Sequence, residues 1–261
     1  MDLGSRQNQF DLRGLHVLVT GASDGLGAEI SRAIARSGGK VSLAARRLEK
    51  LNELQMQIAD EGGHAFATLM DVEDEKSVSA AFDSAEQQFG RIDGLVANAG
   101  ISFESPVLDQ SLEQFDQTVS VNLRGVFLTV REAGQRMLST ENDSPGHGKI
   151  VINASYTAHK VSSNLSAYSA SKAGAVQFGR VAAREWAKNG INVNMLCPGY
   201  LSTPMTSEFF ASNAGVKFAS RFPRGRVMPP DALNDLTLFL LSDASKYITG
   251  SVFSIDDGQS L

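Results

Sequence analysis

The sequence predicts an α/β protein built on one doubly wound parallel sheet of about seven strands, with helices on both faces. Two observations lead there. Short β-branched apolar runs alternate with segments of helical periodicity along most of the chain, the pattern of parallel strands joined by right-handed crossovers. The first of these runs also leads straight into a glycine-rich turn and then a helix, the opening unit of a nucleotide-binding sheet. With 261 residues, 42% of them hydrophobic, the chain has ample material for a core. No linker, repeat or composition shift divides it, so residues 1–261 are expected to form a single domain.

Leu15 to Thr20 reads as the first strand. Gly21-Ala-Ser-Asp-Gly25-Leu-Gly27 follows at once, and Ala28 to Arg36 has helical periodicity up to a stop at Gly38-Gly39. Glycine permits the tight turn and close backbone approach, while the helix N-terminus offers free N–H groups to an anion. Gly21, Ser23, Asp24, Gly25, Leu26 and Gly27 are therefore candidate phosphate-loop residues; a turn that merely reverses the chain is the alternative. Lys40 to Ala45 is the second strand, followed by Arg46-Arg47 and a helical run from Leu48 to Asp60. At the end of a second strand, a dinucleotide fold uses an acid for the ribose 2′-hydroxyl or an arginine for a 2′-phosphate. With Arg46 there and no acid until Glu49, NADP(H) is favoured over NAD(H), a solvated surface pair of arginines being the alternative.

His64 to Met70 reads as the third strand, ending at Asp71-Val72, and Glu75 to Phe89 as a helix. Ile92 to Ala97 is the fourth strand and runs into Asn98-Ala99-Gly100, a turn of small residues where backbone can pass close to a ligand. Ser111 to Leu138 is long for one helix and opens with a capping box at Ser111 and Gln114. Asn122 in its middle predicts a kink, because an asparagine side chain competes for backbone groups. Ser139 to Gly148 is a polar surface loop, and Lys149 to Ala154 a strand closing on Ser155. Ile191 to Leu196 is the sixth strand, ended by Pro198-Gly199. Tyr200 to Arg226 reads as an irregular segment at a strand's carboxyl end, a candidate lid. A helix over Asp231 to Leu241 and a strand over Ser251 to Ile255 complete the chain.

Tyr168 and Lys172 are spaced by one helical turn, which puts both side chains on one face. A cation beside a phenol favours the phenolate. Lowering a phenol from about 10 toward 7 takes roughly 4 kcal/mol. One cation at about 4 Å supplies that order of energy at an effective dielectric near 20. Lys172 is thus expected to bring the Tyr168 pKa toward neutrality. On an ordinary helix face the same pair would carry no chemistry.

Composition excludes several classes. The net charge is −5 with Lys and Arg scattered, which leaves no footprint for nucleic acid or anionic lipid. The polar start, Met1 to Gln9, does not read as a signal peptide, and no apolar run approaches membrane-spanning length. Cys197 is the only cysteine, excluding intrachain disulfides and cysteine metal clusters; it is expected to be a small buried hydrophobe. His16, His64, His147 and His159 show no ligand spacing, so no metal is expected. A cytoplasmic location is expected.

Taken together, these motifs closely resemble the short-chain dehydrogenase/reductase family, and the match covers nearly the whole chain, from Leu12 to Leu261. Thr20-Gly-Ala-Ser-Asp-Gly-Leu-Gly27 resembles the family's cofactor loop, Asn98-Ala-Gly100 its sheet-stabilising turn, and Tyr168-Ser-Ala-Ser-Lys172 its active-site pair. Ser155 stands thirteen positions before the tyrosine, where the family has its catalytic serine. Asn122 matches the fourth catalytic member. Two positions depart from the pattern: Ala97 replaces a frequent Asn, and Asp24 sits where NADP-preferring members often carry a basic residue. The resemblance implies a single-domain Rossmann fold and hydride transfer between a nicotinamide and a secondary alcohol or ketone. Tyr168 would transfer the proton, Ser155 would hold the reacting oxygen, and Lys172 would bind ribose hydroxyls. The backbone at Asn122 would hold a water. It further implies Asp71 and Val72 at the adenine, and Asn98, Ala99 and Gly100 along the cofactor. Pro198, Gly199, Leu201 and Thr203 would lie at the nicotinamide side, and the family assembly is a homotetramer.

For the substrate, the expected pocket walls are Ser155 to Lys160, Ile101 to Pro106 and the lid. Met205, Phe209, Phe210, Phe218 and Phe222 would make the lid wall apolar or else pack the lid on the domain. His159, Tyr156 and Tyr200 would add hydrogen bonds. A neutral alcohol or ketone is expected, with a sugar acid or polyol next and a 3-oxoacyl thioester as runner-up. The competing classes are a non-catalytic dinucleotide sensor and, remotely, a methyltransferase; an intact Ser155–Tyr168–Lys172 set argues against both.

Overall fold

The computed structural model describes residues 10–139, 148–204 and 206–261, so expectations for Met1 to Gln9, for positions 140–147 (His147 among them) and for Met205 lie outside it. The apolar runs form seven strands: β1 (His16–Thr20), β2 (Lys40–Ala45), β3 (His64–Leu69), β4 (Gly94–Ala97), β5 (Lys149–Asn153), β6 (Asn192–Pro198) and β7 (Val252–Ile255). All pair in parallel in the order β3-β2-β1-β4-β5-β6-β7. The order reverses direction between β1 and β4, which opens a crevice at the carboxyl ends of those strands.

Alternation along each strand divides the core in two. In β1, Val17 and Val19 pack on one face with Ile30, Ile34, Val41 and Leu43. Leu18 faces the other way, toward Phe82, Leu95, Ile150 and Met195. Both faces are covered, so the strands read as continuous apolar runs. The covering helices are α1 (Gly25–Arg36), α2 (Leu48–Asp60), α3 (Glu75–Phe89), α4 (Leu112–Val119), α5 (Gly125–Ser139) and α6 (Ser166–Trp186). α1 begins earlier than its periodicity indicates because Asp24 caps it, Oδ1 accepting from Gly25 N at 2.9 Å.

Other boundaries also differ from expectation. β4 starts at Gly94 rather than Ile92, and β6 runs on through Pro198, which is possible because the missing N–H falls at the strand's last residue. The expected kink is a π-turn, Ser120–Arg124, between α4 and α5. The segment after β6 is not irregular: it holds two short helices, α7 (Ser207–Ala211) and α8 (Asn213–Ala219), the second capped by Ser212. A last helix, α9 (Asn234–Leu241), follows a 3-10 turn at Pro230–Leu233. Among the described residues no helix is long and apolar enough to cross a membrane.

Candidate active site

A cleft of about 760 Å³ runs along the carboxyl ends of the strands, a size suited to a small-molecule or cofactor site. Of the candidate catalytic and cofactor-binding residues, all line it except Gly27 and Asn122. Gly27 instead packs beneath the loop, where a Cβ would overlap the Gly21 carbonyl. Gly21 itself turns with φ +66° and brings the loop against Ala99. Thr20 ties the two sides together, its Oγ1 accepting from Asn98 N and Ala99 N, each at 3.0 Å. Asn98 Oδ1 accepts from Asn153 Nδ2 at 2.8 Å, extending the chain of hydrogen bonds to β5.

At one end of the cleft lie Arg46, Arg47, Asp71 and Val72. Reading along the chain, Glu49 was the nearest acid to Arg46. In space it is Glu73, Oε2 standing 3.9 Å from Arg46 Nη1, because the loop after β3 lies beside the end of β2. Arg47 Nη2 donates to Ser23 Oγ at 2.9 Å, and its guanidinium lies 3.5 Å from Asp24, which Lys50 also pairs at 3.1 Å. These pairs are solvent-exposed and cost little to exchange for another anion.

At the other end, β5 delivers Ser155 and α6 delivers Tyr168 and Lys172. Ser155 Oγ accepts from Thr157 N at 3.2 Å and from Thr157 Oγ1 at 3.0 Å. With both lone pairs engaged, its own hydrogen is left to donate. The Ser155 hydroxyl beside Tyr168 acts on it in the sense that favours the phenolate. The Lys172 ammonium is buried, donates to Asn153 O at 2.8 Å, and lies 5.7 Å from the Tyr168 ring centroid.

The expected lowering of the Tyr168 pKa does not occur. Crowding by protein around the phenol raises it. The same desolvation lowers Lys172 to about 8. Burial thus opposes charge on both groups, against the phenolate–ammonium pair that their spacing suggested.

Asn122 is wholly buried beside this group and spends its side chain on the neighbouring loop. Oδ1 accepts from Ile101 N at 2.8 Å, and Nδ2 donates to Ile101 O at 2.9 Å and Ser171 Oγ at 3.2 Å. Cys197 is buried, and its thiol is pushed up by that burial, in keeping with a packing role.

Of the two roles open to the lid aromatics, packing is the one the structure shows. Phe210, Phe218 and Phe222 do not line the cleft; they gather round Tyr200 at 5.5, 5.4 and 5.8 Å between ring centroids. Phe209 packs on Phe210 at 5.1 Å and is likewise off the cleft. Aromatic rings gain more by packing on one another than by facing a wet groove. His159 is also absent from the lining and approaches Ser254 instead. The wall is made by Ile101, Ser102, Glu104, Tyr156, Leu165 and Tyr200. Asn153, Glu73 and Leu165 were not anticipated; each comes from an element whose role is set by a distant neighbour, and only the asparagine interrupting an apolar strand was a visible signal.

These residues fit a dinucleotide. A buried ammonium with no carboxylate beside it among the described residues, using one of its three donors on Asn153 O, suits a pair of ribose hydroxyls. Asn153, which also lines the cleft, has its Oδ1 buried without a partner.

Comparison with known proteins agrees. The family model described as enoyl-(acyl carrier protein) reductase matches residues 21–260. D-threitol dehydrogenase of Mycolicibacterium smegmatis is 35% identical over 97% of this chain and 95% of its own. A short-chain type dehydrogenase/reductase from Mycobacterium marinum superposes with a TM-score of 0.90 at 36% identity, covering 96% of this chain and 97% of that one. A gluconate 5-dehydrogenase from Burkholderia cenocepacia, solved with NADP and tartrate, does so with a TM-score of 0.90 at 30% identity, covering 97% of each. Fold, site and relatives define an oxidoreductase on a dinucleotide-binding sheet. The chain belongs to the short-chain dehydrogenase/reductase family.

Proposed function

We propose that the protein is an NADP(H)-dependent oxidoreductase that interconverts a secondary alcohol and a ketone, with Tyr168 as general acid and base. The observation that carries this is the meeting of Ser155, Tyr168 and Lys172 at one end of a cleft whose other end presents Arg46 and Arg47. A bound nicotinamide supplies or takes the hydride. Ser155, compelled to donate, holds the reacting oxygen. Tyr168 passes the proton, and Lys172 holds the ribose hydroxyls. The segment after β6 acts as the lid, its described aromatics Phe210, Phe218 and Phe222 packed around Tyr200. A 3-oxoacyl thioester or a sugar acid is the alternative substrate, the latter supported by the gluconate 5-dehydrogenase likeness. A non-catalytic sensor would have no use for a serine oriented to donate beside a tyrosine. NADPH-linked turnover of a ketone panel tests the reading.

NADPH is expected to bind more tightly than NADH. A 2′-phosphate would replace Glu73 on Arg46 with a charge-assisted contact. Arg46→Ala should lose roughly tenfold in NADPH affinity with little change for NADH, the size of one hydrogen bond to a charged group. Fluorescence titration of both cofactors on both proteins measures it. Equal affinities in the unaltered enzyme would remove the NADP assignment.

A homotetramer is proposed on the apolar surface of α4 to α6. Leu112, Phe115, Phe127, Leu138 and Val181 all stand exposed there, more than a monomer's surface normally gathers on neighbouring helices. Light scattering at micromolar concentration should return four times the 27.9 kDa chain mass. A monomer mass would refute it.

A further inference from the structure

We infer that Glu104 sets which alcohols the site accepts: its carboxylate takes a further hydroxyl of a neutral, hydroxyl-rich substrate and turns carboxylates away. The inference rests on the alcohol–ketone reading above.

Glu104 lines the cleft from the segment that follows Gly100. Its neighbour Ser105 pairs with Leu165 in an isolated parallel bridge, Ser105 N donating to Asn164 O at 2.9 Å. Leu165 immediately precedes α6, which carries Tyr168, so the bridge pins Glu104 at the proton-transferring end of the cleft. Tyr200 closes the same end from the loop after β6, and its phenol is pushed up chiefly by burial, with Tyr156 and the Glu104 charge adding to it.

The charge balance at this end is one-sided. Glu104 has no ion-pair partner among the described residues. The arginines that line the cleft, Arg46 and Arg47, belong to its other end, and Lys172 is buried against Asn153 O. Of the cations on or beside the lid, Lys160 donates to Ser260 O at 2.7 Å, Arg224 and Arg226 pair with Asp257 at 3.1 and 2.7 Å, and Lys217 and Arg221 are exposed and do not line the cleft. A substrate carboxylate would therefore meet an acid and no counter-ion, whereas a hydroxyl would find a strong acceptor. Ser102 and the Tyr156 and Tyr200 hydroxyls add polar contacts, and Ile101 and Leu165 leave room for carbon.

The test is oxidation, with saturating NADP+, of a tetritol against the tetronate of the same chain length, alongside 2-butanol and 1-amino-2-propanol. The tetritol is expected to have the highest kcat/KM. Glu104→Gln should lower kcat/KM for the tetritol about tenfold, mostly through KM, while raising it for the tetronate. Glu104→Lys should invert the preference. The dissociation constant of NADPH should not change in Glu104→Gln, which also reports that the variant is folded. Preference of the unaltered enzyme for the tetronate, the amino alcohol or 2-butanol would overturn the inference. So would a tetritol-to-tetronate ratio that Glu104→Gln leaves unchanged. Turnover of none of these alcohols by enzyme that binds NADPH would instead overturn the alcohol–ketone reading, and the inference with it.

Discussion

Tyr168→Phe should reduce turnover by a factor of roughly 10³ or more, the upper range for removing a positioned general acid, while leaving NADPH binding nearly unchanged. The ring keeps its place on α6 and only the hydroxyl is lost. Ser155→Ala should also impair catalysis severely, because it removes a hydroxyl that already accepts twice from Thr157 and is left to donate to the reacting oxygen. The raised pKa of Tyr168 gives the pH dependence a sign. The phenol stays protonated through neutral pH, so ketone reduction should hold across that range and fall only in alkali. Alcohol oxidation needs the phenolate and should gain rate as pH rises. Profiles of kcat/KM in both directions check this. A Tyr168→Phe rate within tenfold of the unaltered enzyme would contradict the mechanism.

Lys172→Met should lose both cofactor affinity and rate, since on the proposed reading its ammonium holds the ribose hydroxyls beside Tyr168. Its effect on stability separates charge from packing. Lys172 is lowered from 10.5 to about 8 in the folded protein, so below about 8 the buried cation carries its full desolvation penalty. Between about 8 and 10.5 the unfolded chain binds the extra proton and the folded one does not, so this lysine makes stability rise with pH across that window. Methionine has no such dependence. The Tm of the unaltered protein should therefore climb relative to Lys172→Met as pH is raised from 8 toward 10.5. A constant difference would mean that the ammonium is not buried as described.

Most of the sheet was legible because its inner strands are buried on both faces and its helices are amphipathic, and both patterns are local. The ends were less so. β6 runs on through Pro198 because its partner β7 continues to Ile255, a fact about pairing that residues 192–198 do not contain. Helices α7 and α8 are too short to show a period. Their aromatic residues look alike whether they face a ligand or each other, and Tyr200 decides which. Asn122 was picked out by its awkward place in a helix; a π-turn lies there, but its side chain bonds Ile101 and Ser171 and not its own helix.

The sequence by itself determined the class of fold, the order of its motifs and, with the family resemblance they carry, most of the residues that line the cleft. These depend on residue type and spacing, which survive being written as a string. Only the tertiary structure decided the electrostatics: Glu73 beside Arg46, Asp24 between Arg47 and Lys50, Tyr168 raised and Lys172 lowered, and Glu104 held at the start of α6 by Ser105 and Leu165. Desolvation and Coulomb terms are set by everything within a few ångströms, and in a doubly wound sheet those neighbours come from strands and loops far apart in the chain.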